Sequence, residues 1–114
     1  EDGLSVNLTA AAQLSRLAVR HWQERGSGGR LVHVASRAAY RGDSPAHWHY
    51  AAAKSGMVAM HKTIARAYAK DGILSFAVTA TPQEIAAIIA FCALDAPPSM
   101  TGAVIDANGA SFVR

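Results

Sequence analysis

The chain has 114 residues, 51% hydrophobic and 17% charged, and eleven Lys and Arg against eight Asp and Glu leave a net charge of +3. That length suits one domain, and the apolar fraction excludes wholesale disorder. A lone cysteine, Cys92, permits no internal disulfide, and no apolar run reaches the roughly 18 residues that span a bilayer. The basic residues are scattered singly, from Arg16 and Arg20 to Arg66 and Lys70, so they read as solvated helix faces and not as a nucleic-acid footprint. Glu1-Asp2-Gly3 lacks the basic start of a secretory signal, and the expected compartment is the cytosol. Alanine supplies 25 residues, which favours helices that approach a sheet or one another closely.

The first helix is predicted over residues 4–25. Leu4, Leu8, Ala11, Ala12, Leu14, Ala18 and Trp22 form its apolar stripe, and Gly26-Ser27-Gly28-Gly29 stops it. Leu31-Val32-His33-Val34-Ala35 is a short strand, with Ser36 just past its carboxyl end. Gly42-Asp43-Ser44-Pro45 breaks the loop that follows. A second helix is predicted over 48–69, from Ala53, Met57, Met60, Ile64, Ala67 and Tyr68. Asp71-Gly72 ends it, and 73–78 reads as the next strand. Thr81 as N-cap, Pro82 at the first helical position and Glu84 open a third helix through Ile85, Ile88, Ile89 and Phe91 to Leu94. Pro97-Pro98 forbids its continuation. Residues 103–106 form a last strand, and Asn108-Gly109 a turn. The order α-β-α-β-α-β implies right-handed crossovers around a parallel sheet, whose ligands collect at the strands' carboxyl ends, where Ser36 stands.

Tyr50-Ala51-Ala52-Ala53-Lys54 sets a phenol and an ammonium one helical turn apart. A nearby cation favours the phenolate, drawing a tyrosine down from its usual pKa of about 10 toward the range of useful proton exchange. Ser36, delivered by a buried strand, offers a hydroxyl to the same substrate oxygen. His47 and His49, with His33 and His61 elsewhere, lack the three or four convergent ligands with nearby carboxylates or thiols that a metal site wants, so no metal is expected. His47 and Trp48, just before Tyr50, are expected to shape the substrate pocket. Met57 and Met60 read as core or subunit packing, and Cys92 as inert.

Taken in order, these segments resemble the second half of the short-chain dehydrogenase/reductase domain. Val6-Asn7-Leu8-Thr9 resembles the family's Asn-Leu-Thr segment, Gly29-Arg30-Leu31-Val32 through Ser36 its serine strand, and Tyr50 through Met57 its Tyr-x-x-x-Lys helix. Pro82-Gln83-Glu84-Ile85-Ala86 and the run from Thr101 to Gly109 are similar to its closing helix and strand. The resemblance implies an α/β fold, a Rossmann-like doubly wound parallel sheet, and hydride transfer between NAD or NADP and an alcohol/carbonyl pair. It implies that Tyr50 exchanges a proton with the substrate oxygen and that Ser36 orients that oxygen. Lys54 would depress the Tyr50 pKa and hold the nicotinamide ribose, and Asn7 would hold a water relaying protons to Lys54. The implied partners are a small-molecule alcohol or carbonyl and further copies of the chain, as a dimer or tetramer.

The sequence departs from the family's pattern in two places. The glycine-rich turn that cradles the pyrophosphate, with the residue that selects NAD or NADP, does not occur in it. Val78-Thr79-Ala80 also meets Thr81-Pro82 directly, without the family's Pro-Gly and substrate lid, and Phe76 stands where many members carry asparagine. Residues 1–114 are therefore expected to be the carboxyl-terminal part of one domain of a longer chain, with a lid segment omitted between 80 and 81. The contrasting expectation is a non-catalytic module that uses the same helices for association.

Overall fold

The computed structural model describes residues 8–35, 48–80 and 85–107. Its elements are α1 (Ala10–Arg25), β1 (Gly29–Ala35), α2 (Trp48–Tyr68), β2 (Ile73–Ala80), α3 (Ile85–Ala90) and β3 (Val104–Ala107). Short 3-10 turns at Ala69–Asp71 and Pro98–Met100 and a π-helical turn at Phe91–Asp95 join them.

Glycine governs the passage from α1 to β1. Gly26 takes the left-handed conformation (φ 65°) and donates to Gln23 O, while Ser27 N donates to Trp22 O, so two carbonyls of the last turn are satisfied. The chain then returns beneath its own helix. Trp22 lies so close over Gly29 that a Cβ there would collide with the indole ring.

The sheet order is β1-β2-β3, with both pairings parallel. The central strand β2 is buried along its length at Ile73, Ser75, Phe76, Ala77 and Val78, as expected of a parallel strand covered on both faces. Its alternating side chains serve two layers. Phe76 and Val78 pack with Cys92, Ala96, Ile85 and Ile88 on the α3 side. Ser75 meets α2 on the other side, where α1 also lies against β1.

Arg30 fastens the α3 layer to β1. Its Nη1 donates to Cys92 O (3.0 Å) and Ala96 O (2.7 Å), closing carbonyls at the end of the helical run, and its guanidinium lies 5.9 Å from the Phe76 ring centroid.

Three expectations are corrected in detail. In α1 the inward positions are Ser15 and Val19, whereas Leu14 is 67% exposed and Ala12 also faces out. Ala11, Ser15, Ala18 and Trp22 follow helical spacing as well as the predicted stripe does, and packing on β1 selects that rotation. In α2 the core positions are Met57, Val58, His61, Ile64 and Ala65, and Ala67 is exposed. The third helix gives way after Ala90 to the π turn, in which Ala96 N donates to Phe91 O five residues back (2.8 Å). The predicted cap at Thr81, Pro82 and Glu84 and the turn at Asn108-Gly109 lie outside the described residues.

Candidate active site

Parallel strands bring their carboxyl ends to one edge. Ala35 is in register with Thr79, and Thr79 with Asp106, so β1, β2 and β3 finish side by side. Ser36 follows Ala35 directly, but with Asn7 and His47 it lies outside the described residues.

Trp48, Tyr50 and Lys54 lie in the first two turns of α2. As the crossover between two parallel strands, α2 must run antiparallel to them. It is anchored by His61, whose Nδ1 lies 2.7 Å from Ser75 Oγ on β2. At a helical rise of about 1.5 Å, Lys54 and Tyr50 precede His61 by about 10 and 16 Å along the axis. At about 3.3 Å per strand residue, Thr79 and Ala80 lie roughly 13 and 16 Å beyond Ser75. The start of α2 thus stands level with the carboxyl ends of the strands, and the backbone of Tyr50 and Lys54 is at the edge where β1 and β2 end.

A grouping that the sequence did not show, of His33, His61 and Ser75, lies one layer deeper. Ser75 Oγ accepts or donates on two sides, to His61 Nδ1 and to His33 Nε2 at 3.2 Å, and Ser75 N donates to Thr101 Oγ1 at 2.9 Å. All three side chains are buried, His61 and Ser75 completely. Burial, reinforced by the neighbouring His61, lowers the His33 pKa from 6.5 to about 4. His61 is also lowered, chiefly by burial and slightly by Lys62; the backbone of Gly102 and Ala103 opposes the shift. Its Nε2 nevertheless makes no hydrogen bond of ordinary length and angle. The available signal was one polar residue in each of three apolar periods: His33 among valines, Ser75 between Leu74 and Phe76, and His61 four residues from Met57.

Burial raises the Cys92 thiol, with Arg30 pulling the other way, which keeps it protonated and unreactive. Among the described residues no group of three His, Cys, Asp or Glu could hold a metal ion. No helix among them is long and apolar enough to cross a membrane.

A family model described as short chain dehydrogenase matches residues 1–87. The chain is 27% identical to an uncharacterized short-chain type dehydrogenase/reductase of Sinorhizobium fredii, over 97% of this chain and 56% of the relative. It is 30% identical to the (5R,7aS)-5-hydroxy-7a-methyl-1-oxo-2,3,5,6,7,7a-hexahydro-1H-indene-carboxyl-CoA reductase of Mycobacterium tuberculosis, over 92% of this chain and 51% of the relative. A solved 4-hydroxyisoleucine dehydrogenase complexed with NADH superposes with a TM-score of 0.86 at 22% identity, over 93% of this chain and 56% of that one. The fold is therefore that of the Rossmann-like dehydrogenases, and the chain spans about half the length of the relatives it matches.

Proposed function

The chain belongs to the short-chain dehydrogenase/reductase family of oxidoreductases, and on that premise we propose that the protein interconverts an alcohol and a carbonyl by hydride transfer with NAD or NADP. The observation that carries this reading is the level of the first turns of α2 against the carboxyl ends of β1 and β2. The edge formed by these strands suits the nicotinamide end of such a cofactor, because α/β sheets hold ligands beyond the carboxyl ends of their strands. Bound there, the nicotinamide supplies or accepts the hydride.

The chain's own residues handle the proton and the geometry. In reduction the Tyr50 hydroxyl gives its proton to the carbonyl oxygen as that oxygen gains negative charge, and in oxidation the phenolate takes it back. Lys54 holds Tyr50 nearer its anionic form and hydrogen-bonds the nicotinamide ribose, so both residues serve cofactor binding too. Ser36 donates to the reacting oxygen, Asn7 holds the water that returns protons to Lys54, and His47 and Trp48 border the substrate.

The same proposal covers the rest of the molecule. Residues 1–114 are the carboxyl-terminal part of one domain, and further strands join along β1, where an open apolar groove of about 430 Å³ lies between α1 and the strand. The matches extend over 145 and 135 aligned positions, more than the 114 residues present, so the relatives carry positions that this chain lacks; we assign that gap to a lid segment omitted between 80 and 81. Leu14 and Leu17 on α1, 67% and 57% exposed, support self-association into a dimer or tetramer. The location is cytoplasmic.

The test uses the intact protein: NADH and NADPH binding by fluorescence, then carbonyl reduction by wild type and Tyr50→Phe. Binding by both and a loss of turnover of roughly 10²-fold or more in the variant are expected. Full turnover by the variant removes the role of Tyr50, and no cofactor binding by wild type leaves the association module as the function.

A further inference from the structure

One hydroxyl joins three elements. Ser75 on β2 contacts His61 on α2 at 2.7 Å and His33 on β1 at 3.2 Å. A serine has a single proton and two lone pairs, so it can donate to only one of the two imidazoles, and at least one ring must present an N–H to it. The Gly102 and Ala103 backbone lies beside His61 and partly offsets the lowering of its pKa by burial. The contacts pair Ser75 Oγ with His61 Nδ1 and with His33 Nε2, and the tautomers of the two rings set which atom donates in each.

Neither a second active site nor a metal centre fits this cluster. Ser75 and His61 have no exposed surface through which a substrate could enter. Two imidazoles and a neutral hydroxyl also lack the anionic ligand usual at a site built for zinc.

The two histidines lie instead on the two elements that carry the reacting groups. His33 is three residues before Ser36, and His61 follows Lys54 by two helical turns. We propose that Ser75 is a positioning residue, which by bridging His33 and His61 fixes β1 against α2 and so sets the carboxyl end of β1 against the first turns of α2, where Tyr50 and Lys54 stand. The inference rests on the reading of Ser36, Tyr50 and Lys54 given above. A displacement of about 1 Å between reacting groups can cost on the order of 10²-fold in rate, so a bond two turns away is felt at the edge.

The experiment compares Ser75→Ala, His33→Gln and His33→Leu in the intact protein, with kcat expressed per cofactor-binding site. Glutamine keeps a donor where His33 has Nε2, whereas leucine keeps only the bulk. Ser75→Ala and His33→Leu are expected to lose roughly tenfold or more in kcat with KM and NAD(P)H affinity within about threefold, and His33→Gln to stay near wild type. Backbone amide exchange at 33–35 and 50–57 is expected to quicken in Ser75→Ala and His33→Leu alone. Equal kcat for the glutamine and leucine variants overturns the inference, as does unchanged exchange at both segments. Should Ser75→Ala fail to fold, the two His33 variants decide. A wild type without turnover refutes the proposed reaction, and the exchange data then judge the bridge by themselves.

Discussion

The rings of His33 and His61 lie 5.6 Å apart, tilted by 57°, with the Ser75 hydroxyl between them. Two imidazoles so close in a buried layer are neutral together, because a charge on either is both desolvated and opposed by the other. That relationship carries a consequence for stability.

Between pH 6.5 and about 4 the unfolded chain binds a proton at His33 that the folded chain refuses. Stability is therefore full above pH 6.5, falls as the pH drops through this window, and levels off below about 4 for this residue. The shift corresponds to about 3 kcal/mol, and His61 adds in the same direction. Urea unfolding of the intact protein between pH 4 and 8 should show the decline, and His33→Gln should flatten it. Equal slopes in the two proteins would show that His33 is not its source.

Arg30 closes Cys92 O and Ala96 O from across the sheet. Arg30→Met leaves both carbonyls without that donor and should cost about 2–3 kcal/mol, with Arg30→Lys recovering part of it. The buried Cys92 thiol reports the same event: its labelling by a disulfide reagent should accelerate in Arg30→Met. An unchanged labelling rate would place the opening elsewhere.

The approach of Trp22 to Gly29 leaves no room for a methyl group. Gly29→Ala should destabilise by about 1–3 kcal/mol, and by clearly less in a Trp22→Ala background. Thermal unfolding of the four proteins in this cycle measures the coupling. Simple additivity would mean that the collision is relieved by a shift of the strand.

Lys54 is proposed to favour the Tyr50 phenolate. In alcohol oxidation, where the phenolate is the base, Lys54→Met should move the rising limb of kcat/KM to higher pH, toward the ordinary tyrosine value of about 10. A limb that stays in place while KM for the cofactor rises would leave Lys54 a ribose-binding role only.

Much of the architecture was legible in the residues themselves. Val32 and Val34 favour a strand, Met57 and Ile64 recur at helical spacing, and Gly26 and Gly72 stop their helices in the left-handed conformation that glycine adopts without strain. These are local preferences, and they survive because the parallel sheet agrees with them. The spacing of Tyr50 and Lys54 was equally visible, since one helical turn is a local distance.

What the tertiary structure decided lies where several registers are equally good locally. Ser15 and Leu14 compete for the inner face of α1, and packing against β1 turns Ser15 inward and leaves Leu14 out. Nor does periodicity say that His33, His61 and Ser75 share one hydrogen-bonded point, because each alone reads as a polar interruption of an apolar run. Their meeting depends on the register of β1 on β2 and on the rotation of α2 above them. Both are set by side chains distant in sequence, through burial and hydrogen bonds that exist only once the layers close.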